Sequence, residues 1–126
     1  MTGPAGTVIR FVNPHTSIDV TVDEDNPAAR SLIAQLPLRG LVFADNGGVE
    51  KLVRLDQPLD TTGSPASGIR PGDLIGFTPW NSIAFWYDPA GYPPRSALVH
   101  LGRYEATATQ LEQITAAPVT AHRLTD

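Results

Sequence analysis

The stretch Pro71-Gly72-Asp73-Leu74-Ile75-Gly76-Phe77-Thr78-Pro79-Trp80-Asn81-Ser82-Ile83-Ala84-Phe85-Trp86-Tyr87 decides how the rest of the chain is read. Pro71-Gly72 marks a turn, and Asp73 is expected to fix that turn into the run behind it. Leu74 to Phe77 and Ile83 to Tyr87 are short apolar runs bounded by turn residues, and each predicts a strand. In the second run Ile83, Phe85 and Tyr87 share one face, while Ser82, Ala84 and Trp86 share the other. One face is expected to fill a core and the other to line an external groove.

Upstream, Thr7 to Val12 and Ile18 to Val22 flank Asn13-Pro14-His15-Thr16 and read as an opening hairpin. Ile18, Val20 and Val22 alternate with Asp19 and Thr21, the pattern of a strand with one wet face. A helix follows. Asp25 or Asn26 can cap it, Pro27 suits its first turn, and Pro37 ends it. Ala29, Leu32, Ile33 and Leu36 then share one face, so the helix is suited to plug an open barrel end. Leu41-Val42-Phe43 and Val49 to Leu55 flank the turn Asp45-Asn46-Gly47-Gly48, and both read as strands. Residues 56–70 form an irregular loop of a length that is often functional.

Downstream, a structured loop over Asp88 to Pro94 leads to a strand at Ala97 to Leu101. Thr107 and Gln110 make a capping box for a second short helix that carries Leu111 and Ile114. Val119 to Leu124 closes the chain as a last strand. Neither a repeat nor an interior linker is visible. The chain reads as a single domain over 1–126, mainly β, a barrel with two short helices.

Composition narrows the function classes. The chain of 126 residues contains no cysteine, which excludes a disulfide scaffold, a thiolate zinc site and a cysteine nucleophile. Its net charge of −4, with eight arginines and one lysine scattered along the sequence, argues against nucleic-acid binding. No run approaches the roughly 20 apolar residues of a membrane helix. The opening residues have neither a basic start nor an apolar run, so no secretory signal is predicted and a cytoplasmic location is expected.

Several segments in order resemble the bacterial cyclophilin-like proteins. They are Asp25 to Arg30, Leu36-Pro37-Leu38, Glu50-Lys51, Leu55 to Leu59, Pro71 to Ile75, Phe85-Trp86-Tyr87 and Leu101-Gly102-Arg103. The resemblance runs from about Val8 to Ile114, and it implies a cyclophilin-like closed β-barrel with short helices at its ends. True cyclophilins are prolyl isomerases whose Phe-His-Arg strand motif supplies an arginine donor to the prolyl nitrogen. That donation lowers a rotation barrier of about 18–20 kcal/mol. No Phe-His-Arg occurs here, and Asn81 to Trp86 only echoes the family's proline-pocket segment, with its glutamine missing.

The candidate ligand site is therefore the aromatic region: Phe77, Trp80, Asn81, Trp86, Tyr92, Arg95, His100 and Arg103. Aromatic surfaces bury apolar groups of a peptide or small molecule, and an arginine pins a carbonyl or carboxylate. The alternative is a divergent prolyl isomerase with Arg10, Arg54, Arg95 or Arg103 as donor. A further one is a structural subunit of a homo-oligomer. His100 lies beside Arg103 and Tyr104 with no carboxylate near it in sequence, which favours a structural role. The acidic run Asp19, Asp23, Glu24 and Asp25 lacks cation-loop spacing and reads as a helix approach rather than a metal site. No cofactor is expected.

Overall fold

A computed structural model describes residues 5–64, 67–89, 91 and 97–124. Among these residues nine strands form one sheet: β1 Val8–Val12, β2 Ser17–Thr21, β3 Leu38–Leu41, β4 Ala44–Asn46, β5 Glu50–Arg54, β6 Asp73–Phe77, β7 Ser82–Trp86, β8 Leu98–Tyr104 and β9 Val119–Arg123. Two helices join them, α1 over Pro27–Ala34 and α2 over Ala108–Gln113. The sheet order is β3-β9-β1-β2-β8-β6-β7-β5-β4, and every pairing is antiparallel.

The opening hairpin forms where the alternation places it. Ile9, Phe11, Ile18 and Val20 are buried, and Arg10 stands opposite Asp19 on the wet side. Two hydrogen bonds of 2.8 and 3.0 Å join that pair, and the guanidinium holds the Asp19 carboxyl below its usual range. The turn is built by Asn13, whose side-chain oxygen accepts the N–H groups of His15 and Thr16. Its amide donates to the carbonyls of Gln113 and Ala117 and so ties the end of α2 to the hairpin.

Both helices start at the expected caps. Asn26 accepts the Ala29 N–H at 2.7 Å, and Thr107 exchanges two bonds with Gln110. From α1, Ala28, Ala29 and Leu32 are buried, while Ile33 and Leu36 are half-buried against the same core.

One sequence expectation is redrawn by the sheet. Leu41-Val42-Phe43 was expected to be one strand paired across the 45–48 turn, but the chain divides there. β3 ends at Leu41 on one edge of the sheet, and β4 begins at Ala44 on the opposite edge. Phe43 explains the break. It is buried against Phe11 at 6.0 Å and Phe85 at 5.4 Å, so the backbone bends to deliver it while Val42 is left 66 % exposed. Tyr104 completes this aromatic cluster, edge-to-face with Phe85 at 5.0 Å.

The sheet curls round this core without closing. β3 and the β4–β5 pair are the two ends of the strand order and share no ladder, so the barrel is open along one seam. The other face of β6, β7 and β8 carries a second, smaller apolar cluster: Ile75, Ala84, Trp86 and Leu98, backed by Leu52, Ile69 and Phe77.

Candidate functional site

The aromatic site is organised by the tip between β6 and β7. Thr78–Trp80 form one 3-10 turn, and Asn81 closes it with φ 50°, a left-handed conformation that asparagine tolerates better than most residues. Such a tight turn gives Trp80 no strand face to bury itself on, and it stands 42 % exposed. Its ring meets Phe77 edge-to-face at 5.2 Å, and the Arg54 guanidinium lies over it at 5.9 Å. Asn81 donates to the Leu55 carbonyl at 2.6 Å, which fixes the end of β5 against the turn.

A pocket of about 100 Å³ opens beside this tip. Phe77 and Asn81 line it together with Leu59, Gly76, Ser82 and Val99. Gly76 keeps it open, since a Cβ there would lie 3.0 Å from the Leu59 side chain. The space takes one small apolar group. No arginine among the described residues lines it.

The predicted site residues divide into two groups. Phe77, Trp80 and Asn81 come together. Trp86 and Arg103 lie at the Asp73 end of β6, where Asp73 is register partner to both, and His100 stands midway, opposite Ile75. At about 3.3 Å per residue, Trp86 and Arg103 are four steps of strand from the Phe77 level and His100 is two. Trp86 is 4 % exposed inside the second apolar cluster, so the expected groove-lining face of β7 is covered. Tyr92 and Arg95 lie outside the described residues.

His100 finds the carboxylates that its sequence neighbours lack. Its Nε2 is 2.7 Å from Asp23 Oδ1, and its Nδ1 is 4.0 Å from Asp73 Oδ2. Asp73 is 1 % exposed and anchors the region. It pairs with Arg103 and accepts the Arg70 N–H at 2.8 Å, thereby fixing the Pro71-Gly72 turn as the sequence predicts. These groups are mutually satisfied and do not line that pocket, which makes them struts that tie the end of β2 to β6 and β8. The acidic run is likewise spent on side-chain partners: Asp19 on Arg10, Asp23 on His100, Glu24 on Asn26 and Asp25 on Arg30. No set of three metal-ligating side chains occurs among the described residues.

Of the four arginines considered as isomerase donors, Arg10 and Arg103 are held by carboxylates and Arg95 lies outside the described residues. Of the three described, Arg54 alone stands over an aromatic surface. It is absent from the predicted ligand site, and the signal that points to it is its place as the last residue of a strand.

A second network sits at the β4–β5 turn. Asp45 accepts from the Tyr87 hydroxyl and pairs with Lys51 at 3.0 Å, and these partners lower its carboxyl pKa. Burial and this carboxylate push the Tyr87 phenol up to about 12.

Comparison with known proteins bears on the fold. The model of the cyclophilin-like family matches residues 11–122. The solution structure of the hypothetical protein AF2241 from Archaeoglobus fulgidus superposes with a TM-score of 0.63 at 15 % identity, covering 98 % of each chain. At that identity the likeness concerns architecture alone. No curated protein matches the sequence.

Proposed function

The chain belongs to the cyclophilin-like family, and from that premise we propose that it is a binding module for a peptide or small molecule, centred on Trp80. The observation that carries this reading is the unspent pair at the β6–β7 tip. Trp80 is a large exposed aromatic, and Arg54 stacks on it without a carboxylate partner among the described residues. An aromatic ring held rigidly by Phe77 offers apolar area at little cost in conformational entropy. The adjacent guanidinium adds directional donors for a ligand carboxylate or carbonyl. The small pocket lined by Phe77 and Asn81 then takes one apolar side group.

The test uses the two tryptophans as internal reporters. In NMR titrations with pooled random hexapeptides, the Trp80 indole N–H signal is expected to move with the Asn81 amide. The buried Trp86 indole is expected to stay. Trp80→Ala should remove the response without lowering the thermal midpoint. A pool that leaves the Trp80 signal unmoved at millimolar concentration defeats the reading.

A further inference from the structure

The seam that keeps the barrel open has the makings of a docking edge. Among the described residues β3 pairs only with β9, and its other edge faces the seam. On the far side is β5, whose pairing to β4 stops at Leu52 opposite Ala44. The Leu55 N–H and the Val49 carbonyl both bond toward β7 and its flanks, so the odd-numbered residues of β5 face that way. Antiparallel alternation then turns the N–H and C=O of Arg54 into the seam, beyond the last β4 rung. The two edges line one cleft of about 460 Å³, which includes Arg39, Gly40, Val42 and Arg54.

The chemistry of that cleft selects its occupant. Val42, at 66 % exposure, is an apolar side chain presented to solvent at its rim. A Cβ built on Gly40 meets nothing within 4 Å, so the space over that residue is open. Arg39 and Arg54 both line the cleft, and neither forms an ion pair among the described residues, although the protein as a whole carries −4. Asp56 is the one acid beside them in the lining. Two unspent cations at an open strand edge favour a negatively charged strand over a neutral or basic one.

We propose that the seam between β3 and β5 accepts an extended, acidic peptide segment of a partner protein, which adds as a strand and completes the barrel. The proposal rests on the binding reading above in one respect, since Arg54 serves both surfaces. Main-chain bonds to the Arg54 edge supply affinity, Val42 and Leu52 receive alternate apolar side chains, and the two arginines select the acid.

The probe is the capped heptapeptide Thr-Val-Thr-Glu-Val-Thr-Val, titrated into nitrogen-15-labelled protein. The Arg39–Val42 and Val53–Leu55 amides are expected to shift, with the Arg54 amide gaining protection from hydrogen exchange. Replacing the peptide's Glu by Lys, N-methylating its alternate amides, or introducing Arg39→Glu should each weaken binding at least tenfold. Trp80→Ala separates the two readings. Seam shifts that survive this change support the strand site whatever becomes of the Trp80 platform. Shifts confined to Trp80 and Asn81 overturn the strand site and leave the platform standing. Absence of any seam shift at millimolar peptide overturns it. Seam shifts that instead grow with protein concentration alone identify a second copy as the occupant and also overturn it.

Discussion

Asn81 holds both main-chain polar groups of Leu55: its carbonyl accepts the Leu55 N–H at 2.8 Å, and its side-chain amide donates to the Leu55 carbonyl at 2.6 Å. The same residue holds the left-handed backbone that ends the turn bearing Trp80. One residue, through its main chain and its side chain, thus sets the position of Arg54, next to Leu55, relative to the aromatic platform.

Asn81→Ala is therefore expected to lose both the side-chain bond and the tolerance for positive φ. The combined loss is roughly 2–3 kcal/mol of stability. Asn81→Gly keeps the backbone conformation and should lose only about 1 kcal/mol. Urea unfolding of the two variants reads the difference. Equal losses would mean that the left-handed turn contributes nothing.

Gly102 lies where β8 meets β2, and there a side chain has nowhere to go. A Cβ at this position would lie 2.7 Å from the Thr21 carbonyl oxygen and 2.8 Å from Val20 Cγ1. The first of these is backbone and cannot swing aside. Gly102→Ala should cost about 1–3 kcal/mol through forced separation of the strands. Calorimetry should record a lower midpoint, and an unchanged midpoint would show that the β2–β8 contact is loose.

Glu50 gives the fold a pH dependence of definite sign. It is 7 % exposed, and burial raises its pKa above the ordinary 4.5, with Asp45 adding to the rise and the Asn46 amide partly offsetting it. The folded state then holds this proton at pH values where the unfolded chain has released it. Its contribution is fully present below pH 4.5 and is lost as pH rises through the folded value. Glu50→Gln should raise the thermal midpoint at pH 7 relative to the parent, with the advantage fading toward pH 4. A pH-independent difference between the two proteins would contradict this.

Local chemistry was enough to read most elements. The alternation of Ile18, Val20 and Val22 predicts a half-wet strand, and Ile18 and Val20 lie in β2 with all three side chains buried. The Asn26 cap and the Thr107–Gln110 box mark two helix starts because capping is settled within four residues of chain. The family resemblance covers nearly the span that the family model matches. The candidate site was legible only at its tip, where Phe77, Trp80 and Asn81 are neighbours along the chain.

What the sequence determined by itself is what neighbouring residues decide: the strand runs, the caps, the turns and the mainly β character. What only the tertiary structure decided is which distant segments meet. His100 gains Asp23 from 77 residues away and Asp73 from the adjacent strand, Trp86 disappears under a second cluster, and the chain parts at Val42-Phe43 to reach both edges of the sheet. Periodicity states that a face is apolar, but not whether a loop will cover it. Strand order is chosen by the summed burial of the whole core, and no local window contains that sum.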